Sequence, residues 1–226
     1  IGTHDFTSFA ASDGFAVFTT NNLWIMICAA LVFLMHLGFA TLESGLTQKK
    51  NTVNILFKNV WIIAVGILTY YFFGFNTHYP SEWIIPDVLA FGGIAGFDYT
   101  DAAAVAANST SDYNTGYTYW TDFIFQAMFA ATGAPIVSGA VAERVKLPAF
   151  MIFAVVFVGI GYTVAGSWHW GTGWLSKMGF ADFAGSTVVH AFGGFGALAC
   201  VMLLGARKGK YTANGIKPVS YTHLRA

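Results

Sequence analysis

The sequence predicts an all-α membrane protein, a polytopic bundle of five transmembrane helices. Three observations predict it. First, 56% of the residues are hydrophobic and only 10% are charged, against about 25% charged in an average soluble domain; the mean hydropathy is +0.59. Second, five stretches meet the need of a membrane-crossing helix for roughly 20 mostly apolar residues. They lie at 23–46, 53–75, 121–142, 147–167 and 183–206. Third, the basic residues segregate to alternate connections between those stretches. The formal net charge is zero, which leaves no electrostatic case for nucleic acid.

Taken in order, residues 1–22 are polar and mixed and read as an external segment ahead of the first span. The chain opens at Ile1 and shows no signal peptide, so an incomplete N-terminus is expected. Connections are short except for 76–120, which carries Pro80, Pro86 and five acidic residues. Its stretch 88–107 is fairly apolar, but Asp98 and Asp101 would each cost about 3 kcal/mol at a helix centre. It is therefore expected to be an external loop with short interfacial helices. Pro135 predicts a kink in the third span, and Gly193, Gly194 and Gly196 predict close helix approach in the fifth. Cys28 and Cys200 lie in apolar runs without metal or redox spacing and read as small packing residues. The membrane domain is expected to cover 23–217. Residues 219–226, VSYTHLRA, resemble the translation of a sequencing-adaptor read-through. The tail 218–226 is therefore set apart, and His223 and Arg225 are given no role.

Cytoplasmic loops are rich in Lys and Arg. With the N-terminus outside, Lys49, Lys50, Lys58, Arg144, Lys146, Arg207, Lys208, Lys210 and Lys217 all fall inside, and only Lys177 outside. A sixth span would destroy this asymmetry. Glu82, Asp87, Asp98, Asp101, Asp112, Asp122 and Asp182 then form an acidic outer mouth, which would modestly concentrate cations.

Ionisable groups inside spans are costly, so each raises a functional question. His36 and His190 lie within the first and fifth spans, and Glu43 near the inner end of the first. Lys58 is one turn inside the second span and is expected to snorkel to the interface. Asp182 looks like the N-cap of the fifth span; at 1.5 Å per residue His190 would lie about 12 Å below it. A neutral imidazole there can donate one hydrogen bond, accept another and relay a proton; a histidine bonded to a neighbouring helix is the alternative. Trp168, His169 and Trp170 fit an interfacial aromatic belt, and tryptophan is also the best face for a cation. Phe125 and Phe129 share one helix face, as packing phenylalanines also do. A His36/His190 pair could ligate haem. No nucleophile constellation suggests an enzyme, and no cofactor is expected.

Three segments together resemble the ammonium transporter family, Amt/Mep/Rh, and its Amt branch in particular. They are Asp182-Phe-Ala-Gly-Ser-Thr-Val-Val-His190, the run from Phe129 through Ser138-Gly-Ala-Val-Ala-Glu143-Arg144, and Gly38-Phe-Ala-Thr-Leu-Glu43-Ser-Gly45. The resemblance implies an eleven-helix transporter of two inverted five-helix repeats plus a last helix, in a homotrimer with one pore per subunit. This chain would be the N-terminal half, holding the first repeat. It implies that His190 is a pore histidine and proton relay, that Trp170 and Phe129 form an outer ammonium site, that Phe125 joins Phe129 at a gate, and that Asp182 supports the site without touching the cation. Ser186 departs from the family's common glycine, and the partner histidine has no match in this chain. The expected function is transport of ammonium or ammonia: recruitment at the aromatic site, deprotonation, and passage through a His-lined apolar pore. The expected location is the plasma (inner) membrane, with ammonium, the lipid bilayer and a cytoplasmic regulatory protein as partners. An ammonium sensor of the same family and a haem-binding redox protein are the alternatives.

Overall fold

The structure, a computed structural model, describes residues 6–216. Lys217, His223, Arg225 and the whole 218–226 tail lie outside the described residues, as do residues 1–5.

Five helices are long and apolar enough to cross a membrane: Phe15–Gly45, Lys49–His78, Tyr119–Val141, Leu147–Ser167 and Ser186–Leu204. They are the five expected from the apolar runs. Each is referred to below by its order. The first begins eight residues earlier than its apolar run. Phe9 and Phe18 meet edge to face with centroids 5.0 Å apart, Phe9 and Phe15 at 5.7 Å, and Asn22 bonds back to the Phe18 carbonyl. Ring packing and a satisfied amide thus carry the helix into what composition alone reads as loop. A short helix, Phe6–Ala10, precedes it.

The third span is the hub. In its most apolar window 61% of residues are buried, against 17% in the first and fifth spans. Ala127, Ala130, Ala131, Thr132, Ala134, Val137 and Ser138 are fully enclosed. Small residues let neighbouring backbones approach, which is how membrane helices gain packing energy without a hydrophobic driving force. The closest approach is at Gly66 of the second span, where an added Cβ would lie 2.7 Å from Ala131 Cβ and 2.9 Å from its Cα. Gly66→Val is expected to destabilise the bundle by at least about 1–3 kcal/mol, read as a lower midpoint of thermal unfolding in detergent. Gly193 and Gly196 are close-contact positions as expected, against the Gly133 carbonyl and Phe157; Gly194 faces open space. Pro135 is accommodated within the third span.

Three spans carry a π-helical turn, at Tyr70–Gly74, Phe157–Tyr162 and Ser186–Ala191. Such turns are rare and gather at functional sites.

The two ends of the bundle differ. One end carries the long connection, 79–118, with a single short helix, Ala102–Ser109, capped by Asp101. This connection is pinned to the segment after the fourth span: Trp168 Nε1 donates to the Val88 carbonyl at 2.7 Å, and Lys177 pairs with Asp87 at 2.6 Å. The other end is basic. Glu143 there accepts from the Gln48 N–H (2.7 Å), Asn51 (2.8 Å) and Arg207 (3.0 Å), tying together the ends of the second, third and fifth spans. Burial alone would raise its carboxyl, but these three donors outweigh burial and hold it below the ordinary range. Beyond the fifth span, Tyr211–Thr212 and Gly215–Ile216 form a minimal antiparallel hairpin.

Candidate functional site

At the connection end, the fifth span starts with an unusual cap. Asp182 is 7% exposed. Its Oδ1 accepts the N–H groups of Gly185 (2.9 Å) and Ser186 (3.0 Å), and its Oδ2 those of Thr187 and Val188 (both 2.8 Å). Helix starts leave four N–H groups unsatisfied, and one carboxylate satisfies four here. Asp182 is thus not the N-cap residue itself; it caps from three residues upstream, and Gly185, at φ +85°, makes the turn that allows it. Burial would push the carboxyl up, but the four N–H donors outweigh it and hold it below the usual carboxylate range. Two consequences follow. The cap is charged at neutral pH and offsets the positive helix end. His190 is only four residues below the helix start, about 6 Å rather than about 12 Å, nearer the connection end than the middle of the span.

The remaining groups of Asp182 are also held. Trp170 Nε1 donates to its carbonyl at 2.9 Å, and its N–H donates to His169 Nε2 at 3.0 Å. Trp170 in turn lies near Phe129 (centroids 6.2 Å, 64°), and Phe129 meets Phe125 edge to face (5.0 Å, 89°). All three rings are half-buried. The structure therefore brings Asp182, Trp170, Phe129 and Phe125 into one chain of contacts spanning three elements.

His190 is exposed. With Thr187 and Gly194, three before and four after it, it forms an exposed stripe on one helix face. His36, by contrast, is 2% exposed within the bundle. The two histidines occupy different settings, one enclosed and one on an open helix face.

One residue at this end had no motif to announce it. His78, the last residue of the second span, is fully buried and its Nδ1 is 2.8 Å from the Tyr70 hydroxyl. Its ring lies behind Trp170 (5.9 Å, 28°) and stacks on Tyr79 (4.6 Å, 15°). Its fit depends on glycines: a Cβ at Gly166 would lie 2.4 Å from His78 Nε2, and one at Gly171 2.2 Å from its carbonyl oxygen. The only sequence cue is a histidine directly ahead of Tyr79-Pro80.

A second buried polar group lies at the basic end. Ser138 donates to Glu43 Oε2 at 2.7 Å, Asn59 reaches Oε1 at 3.3 Å, and Lys58 Nζ is 3.9 Å from Oε2. Lys58 also donates to the Ser138 carbonyl and sits 4.9 Å from the Phe150 ring centroid. Lys58 is 4% exposed, so it does not snorkel. Its ammonium finds an acid, a carbonyl and an aromatic face inside the bundle, which replace the interface as its polar surroundings.

A model of the Ammonium Transporter Family matches residues 23–224. The chain is 44% identical over 204 residues to a putative ammonium transporter of Synechocystis, covering 90% of this chain and 44% of that protein. It is 40% identical over 203 residues to ammonium transporter Amt2 of Archaeoglobus fulgidus, covering 85% of this chain and 40% of the other. Among solved structures it resembles the crystal structure of Saccharomyces cerevisiae Mep2, with a TM-score of 0.73, 27% identity, and coverage of 96% of this chain and 47% of that one. The chain thus spans less than half the length of these relatives.

Proposed function

The chain belongs to the ammonium transporter family, and from that premise we propose that it serves to conduct ammonium or ammonia across a membrane. The observation that carries the reading is the assembly at the connection end. The Trp170 and Phe129 rings lie 6.2 Å apart and inclined at 64°, Trp170 is hydrogen-bonded to Asp182, and the helix capped by Asp182 presents His190 on its open face.

Ammonium is small and strongly hydrated, and stripping its water is prohibitive unless other groups replace it. The rings of Trp170 and Phe129 supply π faces at a distance where a cation is attracted. Phe125, edge-on to Phe129, forms the gate below. Asp182 touches no cation in this scheme; its four acceptor contacts neutralise the helix end that would otherwise repel one. Beyond the gate, His190 with Thr187 and Gly194 forms one wall of a passage, where ammonia crosses and the proton travels separately by way of imidazole. The opposing wall and its histidine are supplied by a second five-helix repeat.

The connection end faces outward in this reading, since eight of the nine basic residues among the described residues belong to the other end. A homotrimer in the plasma (inner) membrane completes the proposal, with a cytoplasmic regulatory protein acting at the basic end.

Expression of the full-length protein in a transporter-deficient cell tests it. Growth on low ammonium is expected to be restored. Trp170→Leu is expected to raise the KM for methylammonium about tenfold, the loss of roughly 1–2 kcal/mol of cation–π attraction. His190→Leu is expected to abolish net uptake while leaving folding intact. Uptake unchanged in both variants would reject the scheme.

A further inference from the structure

We infer that His169 is a positioning residue for the outer aromatic site, acting as a hydrogen-bond acceptor in one tautomer. The inference rests on the reading of Trp170 as part of that site. His169 and Trp170 are consecutive, yet they grip the two peptide groups that flank the Asp182 Cα. His169 Nε2 takes the Asp182 N–H at 3.0 Å, and Trp170 Nε1 gives to the Asp182 carbonyl at 2.9 Å. A backbone N–H can only donate, so Nε2 must be bare and the ring proton must sit on Nδ1. His169 Nδ1 is buried and has no hydrogen-bond partner among the described residues. The other neutral tautomer would relieve Nδ1 but set an Nε2–H against the Asp182 N–H. That proton would have only the Asp182 carbonyl to reach, 3.3 Å away, and the Asp182 N–H would be left without an acceptor. Only the Nδ1–H form satisfies the Asp182 N–H and the Asp182 carbonyl together. The ring itself is seated edge to face on Phe180 at 5.2 Å, which fixes its plane.

The clamp matters because everything else at this point hangs from Asp182. Its carboxylate orients the first turn of the fifth span, and its carbonyl orients the Trp170 ring. Phe129 and His78 constrain that ring from its sides, but neither bonds to the indole N–H. Loss of the His169 acceptor leaves the Asp182 N–H unpartnered and loosens the backbone about the Asp182 Cα, so the carbonyl that holds the indole is no longer fixed. The expected consequence is weaker cation capture with unchanged passage.

Two measurements on the full-length protein test this. The first is the imidazole nitrogen spectrum of 15N-histidine-labelled protein at neutral pH, with His169 assigned by its disappearance in His169→Gln. A neutral Nδ1–H ring is expected; an Nε2–H or doubly protonated ring would overturn the inference. This readout needs no transport, so it stands even if ammonium proves to be the wrong substrate. The second is methylammonium uptake by two variants. His169→Phe keeps the ring packing and removes the acceptor; its KM is expected to rise about three- to tenfold, the range of one lost hydrogen bond, with kcat within about twofold of wild type. His169→Gln places an amide oxygen near the Nε2 position and is expected to restore KM. Wild-type KM in His169→Phe, or equal impairment of both variants, would overturn the inference. Should His169→Phe fail to fold, a His169→Gln protein with wild-type KM together with the Nδ1–H ring would support the inference, and an impaired one would overturn it. Wild-type protein that moves no ammonium would instead reject the transport reading.

Discussion

Replacing Glu43 with leucine is expected to lower the stability of the bundle by about 3–5 kcal/mol, the cost of leaving one charge of a buried pair uncompensated. Lys58 would keep the Ser138 carbonyl and the Phe150 ring but lose its acid, and Asn59 and the Ser138 hydroxyl would lose their acceptor. Glu43→Leu combined with Lys58→Met is expected to recover much of the loss, because a buried ion pair is often no better than well-packed apolar groups of similar volume. The double-mutant cycle is read from unfolding midpoints in detergent at fixed lipid content. An additive double mutant would mean that the two residues are not coupled, despite 3.9 Å between them.

Asp182→Ala should be nearly as damaging, and for a different reason. Four N–H groups lose their acceptor at once. Bonds to a charged acceptor are worth about 1.5–3 kcal/mol each and are not additive, so a total loss of at least about 3 kcal/mol is expected. The first turn of the fifth span should fray, visible as fast amide exchange at residues 185–188. Uptake should fall by at least about tenfold, since the turn bearing His190 and the carbonyl that holds Trp170 would move together. Asp182→Asn, which keeps one acceptor oxygen, should fall between the two. The pH dependence has a definite sign. The carboxyl is held below its unfolded value, so its stabilisation is fully present above the unfolded pKa of about 3.9 and is lost as pH falls through the lower folded value. Melting of the fifth span should therefore be flat from neutral pH to about pH 5 and drop only in stronger acid; a drop beginning near neutrality would contradict the capping account.

The spans were legible because length and apolarity are summed over about 20 residues and tolerate local error. Their ends were not, since Phe9, Phe15 and Phe18 extend a helix by ring packing that composition does not register. Asp182, Trp170, Phe129 and Phe125 were legible as a set only through the family motif. Each alone has an ordinary reading, and their proximity depends on how the fourth span returns to the fifth. Lys58 was misread for a physical reason: snorkelling supposes the nearest polar surroundings are at the interface, whereas Glu43 and Ser138 come from other spans, invisible in the local sequence. His78 was hidden because its fit is conferred by the glycines at 166 and 171, about ninety positions away.

The π-helical turns at 70–74, 157–162 and 186–191 carry a further consequence. Each amounts to one surplus residue lodged in an otherwise regular helix, and one residue is about 100° of rotation. A single deletion at 157–162 would remove the wide turn and leave Trp168, His169 and Trp170 at nearly the same azimuth, whereas a single deletion in the regular helix beside it would swing them about a quarter-turn away from Phe129 and Asp182. The azimuth of the site is thus encoded by residue count as much as by residue identity. Indel scanning across these turns would expose a sensitivity that substitution scanning misses.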